Sequence, residues 1–202
     1  MKHRLFSVCI ALATLALSAR ADAQRLIERG RFGVSAGATI FLPSAYQRAL
    51  EAFGYSALAV GPSVSALATA SLGSWWVLGG RAGFLHTQST PREGSAIFYN
   101  VLDVSAVAGA RIRTAPGRQS PRVELLAECG AVLGDASLNQ SPQFIAAIRA
   151  AGSLFVGWDN LVERWYVGPR VTAAYVPWGG AGGSFFDPAF ANITAAIEGG
   201  FL

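Results

Sequence analysis

The stretch Arg31-Phe32-Gly33-Val34-Ser35-Ala36-Gly37-Ala38-Thr39-Ile40-Phe41-Leu42 decides the fold. Its even-numbered residues, Phe32, Val34, Ala36, Ala38, Ile40 and Leu42, are all apolar. Its odd-numbered residues are small or polar, apart from Phe41. A period of two places successive side chains on opposite faces of an extended strand, so this is a strand with one apolar and one small or polar face.

The same alternation recurs along the chain. Residues 56–72 line up Leu58, Val60, Val64, Ala66, Ala68 and Leu72 on one face, and residues 75–87 set Trp76, Leu78, Ala82 and Phe84 against Val77, Arg81 and Thr87. Residues 96–113 oppose Phe98, Leu102, Val104, Ala106, Ala108 and Ile112 to Asp103, Ser105 and Arg111. In residues 122–134, Val123, Leu125, Cys129 and Leu133 oppose Glu124 and Glu128. In residues 147–159, Ile148, Leu154, Val156 and Trp158 oppose Arg149 and Ser153. Trp165, Val167, Val171 and Tyr175 oppose Arg170 and Thr172 in residues 163–178. Residues 190–202 close the series, with Ile193, Ala195, Ile197 and Phe201 against Asn192, Thr194 and Glu198. That makes eight strands in hairpin order. Short connections are expected at Gly73-Ser74, 114–120 and 160–162, and long ones at 43–54, 88–95, 135–146 and 179–189. Ser44 and Gln47 have the spacing to cap a helical turn in the first long loop. The uncharged stretch 52–80 is broken by Gly54, Gly61, Pro62, Gly73, Gly79 and Gly80, so it is not a membrane helix.

The two faces tell which side meets water. A solvated surface is about a quarter to a third charged. The small face is rich in Gly, Ala, Ser and Thr with isolated charges, which suits a narrow lumen. The large apolar face carries no charge in the eight segments beyond Glu163 at the start of the seventh, which suits hydrocarbon, although Pro62, Asn100 and Pro169 interrupt it. Its aromatics gather near strand ends: Phe32, Trp76, Trp158, Trp165 and Phe201 on the short-turn side, Phe84, Phe98 and Tyr175 toward the long loops. Two aromatic girdles are the expected pattern at two membrane interfaces. The expectation is an all-β, eight-stranded antiparallel up-and-down transmembrane β-barrel.

The ends and the composition agree. Lys2, His3 and Arg4 precede an apolar run from Leu5 to Leu17 and a small-x-small site at Ala21-Asp22-Ala23. That order reads as a cleaved signal peptide over residues 1–23, leaving a single barrel domain over 24–202. Removing the signal takes away Cys9, so Cys129 has no partner for an internal disulfide. It also removes Lys2, Arg4, Arg20 and Asp22, leaving thirteen arginines against eleven acids. These arginines are scattered among the acids, without the clustered basic face that nucleic acid requires. Hydrophobic residues make up 52% of the chain and charged ones 14%, against about 25% charged in a soluble domain, which argues against both disorder and a cytosolic enzyme.

In strand number, face pattern and loop asymmetry, residues 24–202 resemble the small eight-stranded outer-membrane barrels of the OmpA and OmpX type. That family commonly ends on an aromatic residue; here the chain ends Gly200-Phe201-Leu202, with the aromatic second from last. The resemblance implies outer-membrane lipid and the barrel-assembly machinery as partners, outer-membrane localisation, and a structural or surface-interaction role through extracellular loops that can take a ligand.

Site chemistry is sparse. His86 is the only histidine after residue 23. It loosely resembles the rim histidine of barrel enzymes that act on lipid A, without their spacing, so a lipid-modifying enzyme using His86 is the alternative. A soluble periplasmic barrel carrying an apolar ligand is the other. One histidine and one cysteine do not make a metal site, and no cofactor is expected. The lumen charges Arg81, Asp103, Arg111, Glu124, Glu128, Arg149, Arg170 and Glu198 are expected to pair, since a lone charge in a low-dielectric bore is costly. Loop ends suggest Arg81 opposite Asp103, Arg111 opposite Glu124 and Arg170 opposite Glu198, with Arg81 or Arg149 reaching Glu128 across the bore. A side-chain-filled bore points to a membrane anchor or display scaffold over a general diffusion porin.

Overall fold

The computed structural model describes residues 27–91, 93–113, 120–138, 141–159, 164–179 and 190–201. The proposed signal and the connections 114–119, 160–163 and 180–189 lie outside them. The strands are β1 (Ile27–Phe41), β2 (Gly61–Leu72), β3 (Trp76–Ser89), β4 (Ile97–Arg113), β5 (Ser120–Leu138), β6 (Ser141–Asp159), β7 (Trp165–Gly179) and β8 (Phe190–Phe201). Each pairs antiparallel with its sequence neighbours, and β1 pairs with β8, so the sheet closes into an eight-stranded up-and-down barrel.

The register fixes the shape. A hydrogen-bonded row from Phe32 runs through Ala68, Gly80, Ala106, Cys129, Ala150, Tyr175 and Ala191. It returns to the first strand's line at Leu42, whose N–H donates to the Ala191 carbonyl, a stagger of ten residues from Phe32. Such a stagger over eight strands tilts them by about 40°, leaving a bore about wide enough for side chains to fill. Gly73 makes the β2–β3 turn with φ of 64°, a conformation that favours glycine.

The alternation sorts as the sequence implies. Val34, Val64, Leu125, Trp158 and Ile197 are exposed on the outside, while Arg31, Ser35, Glu124, Ser153 and Glu198 are buried inside. An apolar patch of Leu67, Val77, Val107 and Leu126 completes part of the inner wall.

Three expectations are corrected. Residues 135–146 are not a long loop: β5 continues to Leu138 and β6 starts at Ser141, with Leu138 opposite Ser141. The polar run Ser137, Asn139, Gln140, Ser141 and Gln143 ends the apolar signal, but backbone bonds carry the hairpin onward. Residues 56–60 are not the start of β2. They run beside the end of β3 and the residue after it, bonding through Ser56 N–H to Thr90 O and Ala59 N–H to Gln88 O, while Thr87 and Ser89 hydroxyls donate to Ala59 and Ser56 carbonyls. Leu58, expected on the outer face, instead packs against buried Leu50, Ile97 and Tyr99. Helix α1 (Ala45–Ala52) supplies that Leu50. The Ser44 side chain accepts from Gln47 N–H at 3.3 Å, the cap that the spacing suggested. The first connection thus folds over the barrel mouth and seats one leucine among inward-facing residues of β4, a burial worth about 1.5–3 kcal/mol.

Candidate functional site

Two layers of charge fill the bore. The layer nearer the short turns is organised around Glu124 on β5. Arg31 Nη1 donates to both its oxygens at 2.7 and 2.8 Å, Arg111 Nε donates to Oε1 at 2.7 Å, and Arg170 Nη2 reaches Oε2 at 3.4 Å. Arg122 Nε stands 3.6 Å from Oε1 and pairs through Nη1 with Asp159. Glu198 on β8 accepts from Arg31 Nη2 at 2.9 Å, from the Tyr166 hydroxyl at 3.1 Å and from Arg170. Ser71 and Ser153 hydroxyls take the remaining Nη1 donors of Arg111 and Arg170. Guanidinium planes stack on rings as well: Arg31 lies 3.4 Å from the Tyr166 centroid and Arg122 lies 4.6 Å from that of Phe155. Removed from water, these charges persist because each has an opposite charge beside it, although Arg122 Nε and Nη2 and Arg111 Nη2 are buried without a hydrogen-bond partner.

The second layer lies closer to the long loops. Glu128 Oε2 accepts from Arg81 Nη1 at 2.9 Å and from Arg149 Nη1 at 2.8 Å, and Arg149 also touches Ser105 and stands 3.7 Å from Asp103. A cavity of about 40 Å³ borders Arg81, Asp103, Arg149, Thr39, Asn192 and Thr194. That is room for a few water molecules and not for an organic ligand.

The structure brings the sequence-selected charges Arg81, Asp103, Arg111, Glu124, Glu128, Arg149, Arg170 and Glu198 inside the barrel. Arg111 faces Glu124 in register and bonds to it. Arg81 does not face Asp103. It faces Ser105, while Asp103 lies opposite Gly83 and its carboxylate covers that glycine. The β3–β4 register is shifted by two residues from the one inferred from the loop, because β3 runs two residues past Thr87, so that Ser89 and not Thr87 lies opposite Ile97. Arg170 faces Ala196, and its long side chain reaches Glu198 from a diagonal position. Both Arg81 and Arg149 reach Glu128. Arg31, Arg122, Asp159, Tyr166 and Phe155 join the network without having been selected from the sequence, although the last four share the parity of a selected inward residue on their own strands and Arg31 shares that of the small and polar face of β1. Parity alone would have found them.

Outside, Phe32, Trp76, Trp158, Trp165 and Phe201 are exposed near the short-turn strand ends, and Phe84, Phe98 and Tyr175 toward the other end. Trp165 and Phe201 touch, with centroids 3.8 Å apart. Cys129 is exposed on this outer face. His86 is also outward and half-buried, and its Nδ1 lies 2.8 Å from Asn100 Oδ1. Nearby Ser89 points inward and donates to the Ser56 carbonyl, so it does not supply a nucleophile beside the ring. The outward positions flanking His86 on β3 are Phe84 and Gln88, neither of which is a nucleophile.

No family model and no curated protein matches the chain. Among solved structures, Neisserial surface protein A (NspA) is similar at 14% identity with a TM-score of 0.52, covering 85% of this chain and 98% of that one. Ail, the attachment invasion locus protein of Yersinia pestis, is similar at 12% identity and a TM-score of 0.46, covering 86% of this chain and 98% of that one. The likeness to NspA is one of fold, a closed eight-stranded antiparallel barrel.

Proposed function

We propose that the chain is an outer-membrane β-barrel with a side-chain-filled bore, exported by residues 1–23 and inserted by the barrel-assembly machinery. Its work is structural or surface-interactive, through the connections at the long-loop end. One observation carries this reading: the barrel is inside out. Outward Trp76 is 66% exposed and Leu125 63%, while inward Arg122 and Glu124 are 0% exposed. Lipid is the solvent that accepts such an exterior. A soluble carrier of an apolar ligand needs the reverse arrangement. Among the described residues no helix is long and apolar enough to cross a membrane, but strands of 12 to 19 residues exceed the 9–11 or so that a tilted strand needs. The name of the NspA neighbour, a surface protein, fits the location.

In this reading the outward aromatics form the two interfacial girdles and both chain ends lie on the periplasmic side, since an even strand count returns the chain to its starting side. Protease added to intact cells should cut within 43–54 and 179–189 and spare the Gly73-Ser74 turn, and the barrel should fractionate with the outer membrane. Cleavage at Gly73-Ser74 in intact cells, or recovery in the soluble fraction, contradicts the proposal.

A further inference from the structure

The lipid-facing surface carries a built polar row near the long-loop end. His86, Asn100 and Asp135 sit at direct register positions on β3, β4 and β5. His86 Nδ1 lies 2.8 Å from Asn100 Oδ1, and Asn100 Nδ2 donates to Asp135 Oδ2 at 3.2 Å. An ionised carboxylate only accepts, so Asp135 fixes the direction of the Asn100 amide. The amide oxygen then faces His86, the ring donates from Nδ1, and Nε2 stays outside the row. All three side chains are half-buried.

Aromatic rings bracket the row. Phe144, directly opposite Asp135 on β6, is 64% exposed. Phe98, 43% exposed, stacks on the His86 ring with centroids 6.2 Å apart and planes 18° from parallel. Hydrocarbon is the wrong neighbour for three polar side chains, because it cannot hydrogen-bond them. A phosphate would meet the like charge of Asp135. A sugar suits the row: its hydroxyls both donate and accept, matching a carboxylate, an amide and an imidazole, and its C–H faces lie well against exposed rings.

We propose that the row His86–Asn100–Asp135, with Phe98 and Phe144, binds the sugar headgroup of a glycolipid in the leaflet at the long-loop end. The inference rests on the membrane reading above. Position supports a lipid over a free sugar, because the row lies on the apolar outer wall only a few residues below the strand ends, the depth of a headgroup.

The test uses the full chain folded in amine-oxide micelles doped with equal amounts of glucosyl diacylglycerol and phosphatidylglycerol of the same acyl chains. Lipid retained on the barrel is counted by native mass spectrometry. The wild-type chain should keep the glucosyl lipid about fivefold over the phospholipid, and Asn100→Leu should bring that ratio near one. Phe144→Ser, which spares the row, should lower it by about half. A mobility shift on boiling verifies that each variant is folded. Equal retention of both lipids by a folded wild-type barrel, or an unchanged ratio in Asn100→Leu, overturns the inference and leaves the membrane reading intact. Full displacement by maltose at equal headgroup concentration overturns the lipid assignment in favour of a soluble glycan. A chain that does not enter the micelle overturns the membrane reading and this inference with it.

Discussion

Glu124 is held by Arg31, Arg111, Arg122 and Arg170, and with 0% of its side chain exposed it has no water to fall back on. Glu124→Gln keeps the shape and removes the charge, leaving guanidinium groups facing one another. The expected loss is about 3–5 kcal/mol in urea unfolding from micelles, whereas Glu51→Gln on the exposed side of α1 should change stability by about 0.5 kcal/mol or less. The Arg111–Glu124 contact was legible because a short turn and matching parity fix both partners. Arg170–Glu198 was legible only as a pair and not as a register, since a long side chain forgives a two-residue error. Arg81–Asp103 was misread for the same reason in reverse: parity puts both inside, but which residue each meets depends on a strand end that composition does not mark. Cys129, outward in mid-strand, should react with an apolar maleimide in the folded, lipid-inserted barrel and resist a charged, membrane-impermeant one. Rapid labelling by the charged reagent would place that face in water.

At the scale of elements, two close fits hold the strands. Tyr166 on β7 lies over Gly33 on β1, across the intervening β8, and a Cβ at Gly33 would collide with the tyrosine hydroxyl. Gly33→Ala should therefore cost about 1–3 kcal/mol, the usual range for overpacking, and adding Tyr166→Phe should recover part of it by removing the colliding oxygen. Additive losses in the double variant would show that the two residues do not meet. The second fit is α1 at the mouth. Leu50→Asp puts a charge among Ile97, Tyr99 and Leu58, so the first connection should detach and trypsin should cut after Arg48 several-fold faster, while the barrel's strand signal stays constant. The cap of α1 could be read from Ser44 and Gln47. Its seat in the mouth could not, because Leu58 keeps the parity of an outward residue, and nothing local marks it as packing against Leu50, Ile97 and Tyr99.

For the whole molecule, eight strands with a ten-residue stagger enclose a bore that two charge layers and the α1 segment fill, so the barrel should pass little current in a planar bilayer. A large, steady conductance would mean the bore is open. Strand count and closure were legible because alternation survives in every strand and an even count returns the chain to its start. The stagger was not legible, since it is the accumulated register of all eight pairings and a slip of two at one hairpin changes it. This inside-out barrel should be stable only when lipid covers its exterior, and diluting urea-unfolded chain into phospholipid vesicles and running the product on a detergent gel without boiling shows whether it is. A spanning, closed barrel migrates as a compact band that floats with the vesicles and converts to the unfolded position on boiling. A single band unchanged by boiling, from chain left in the vesicle-free supernatant, would contradict it.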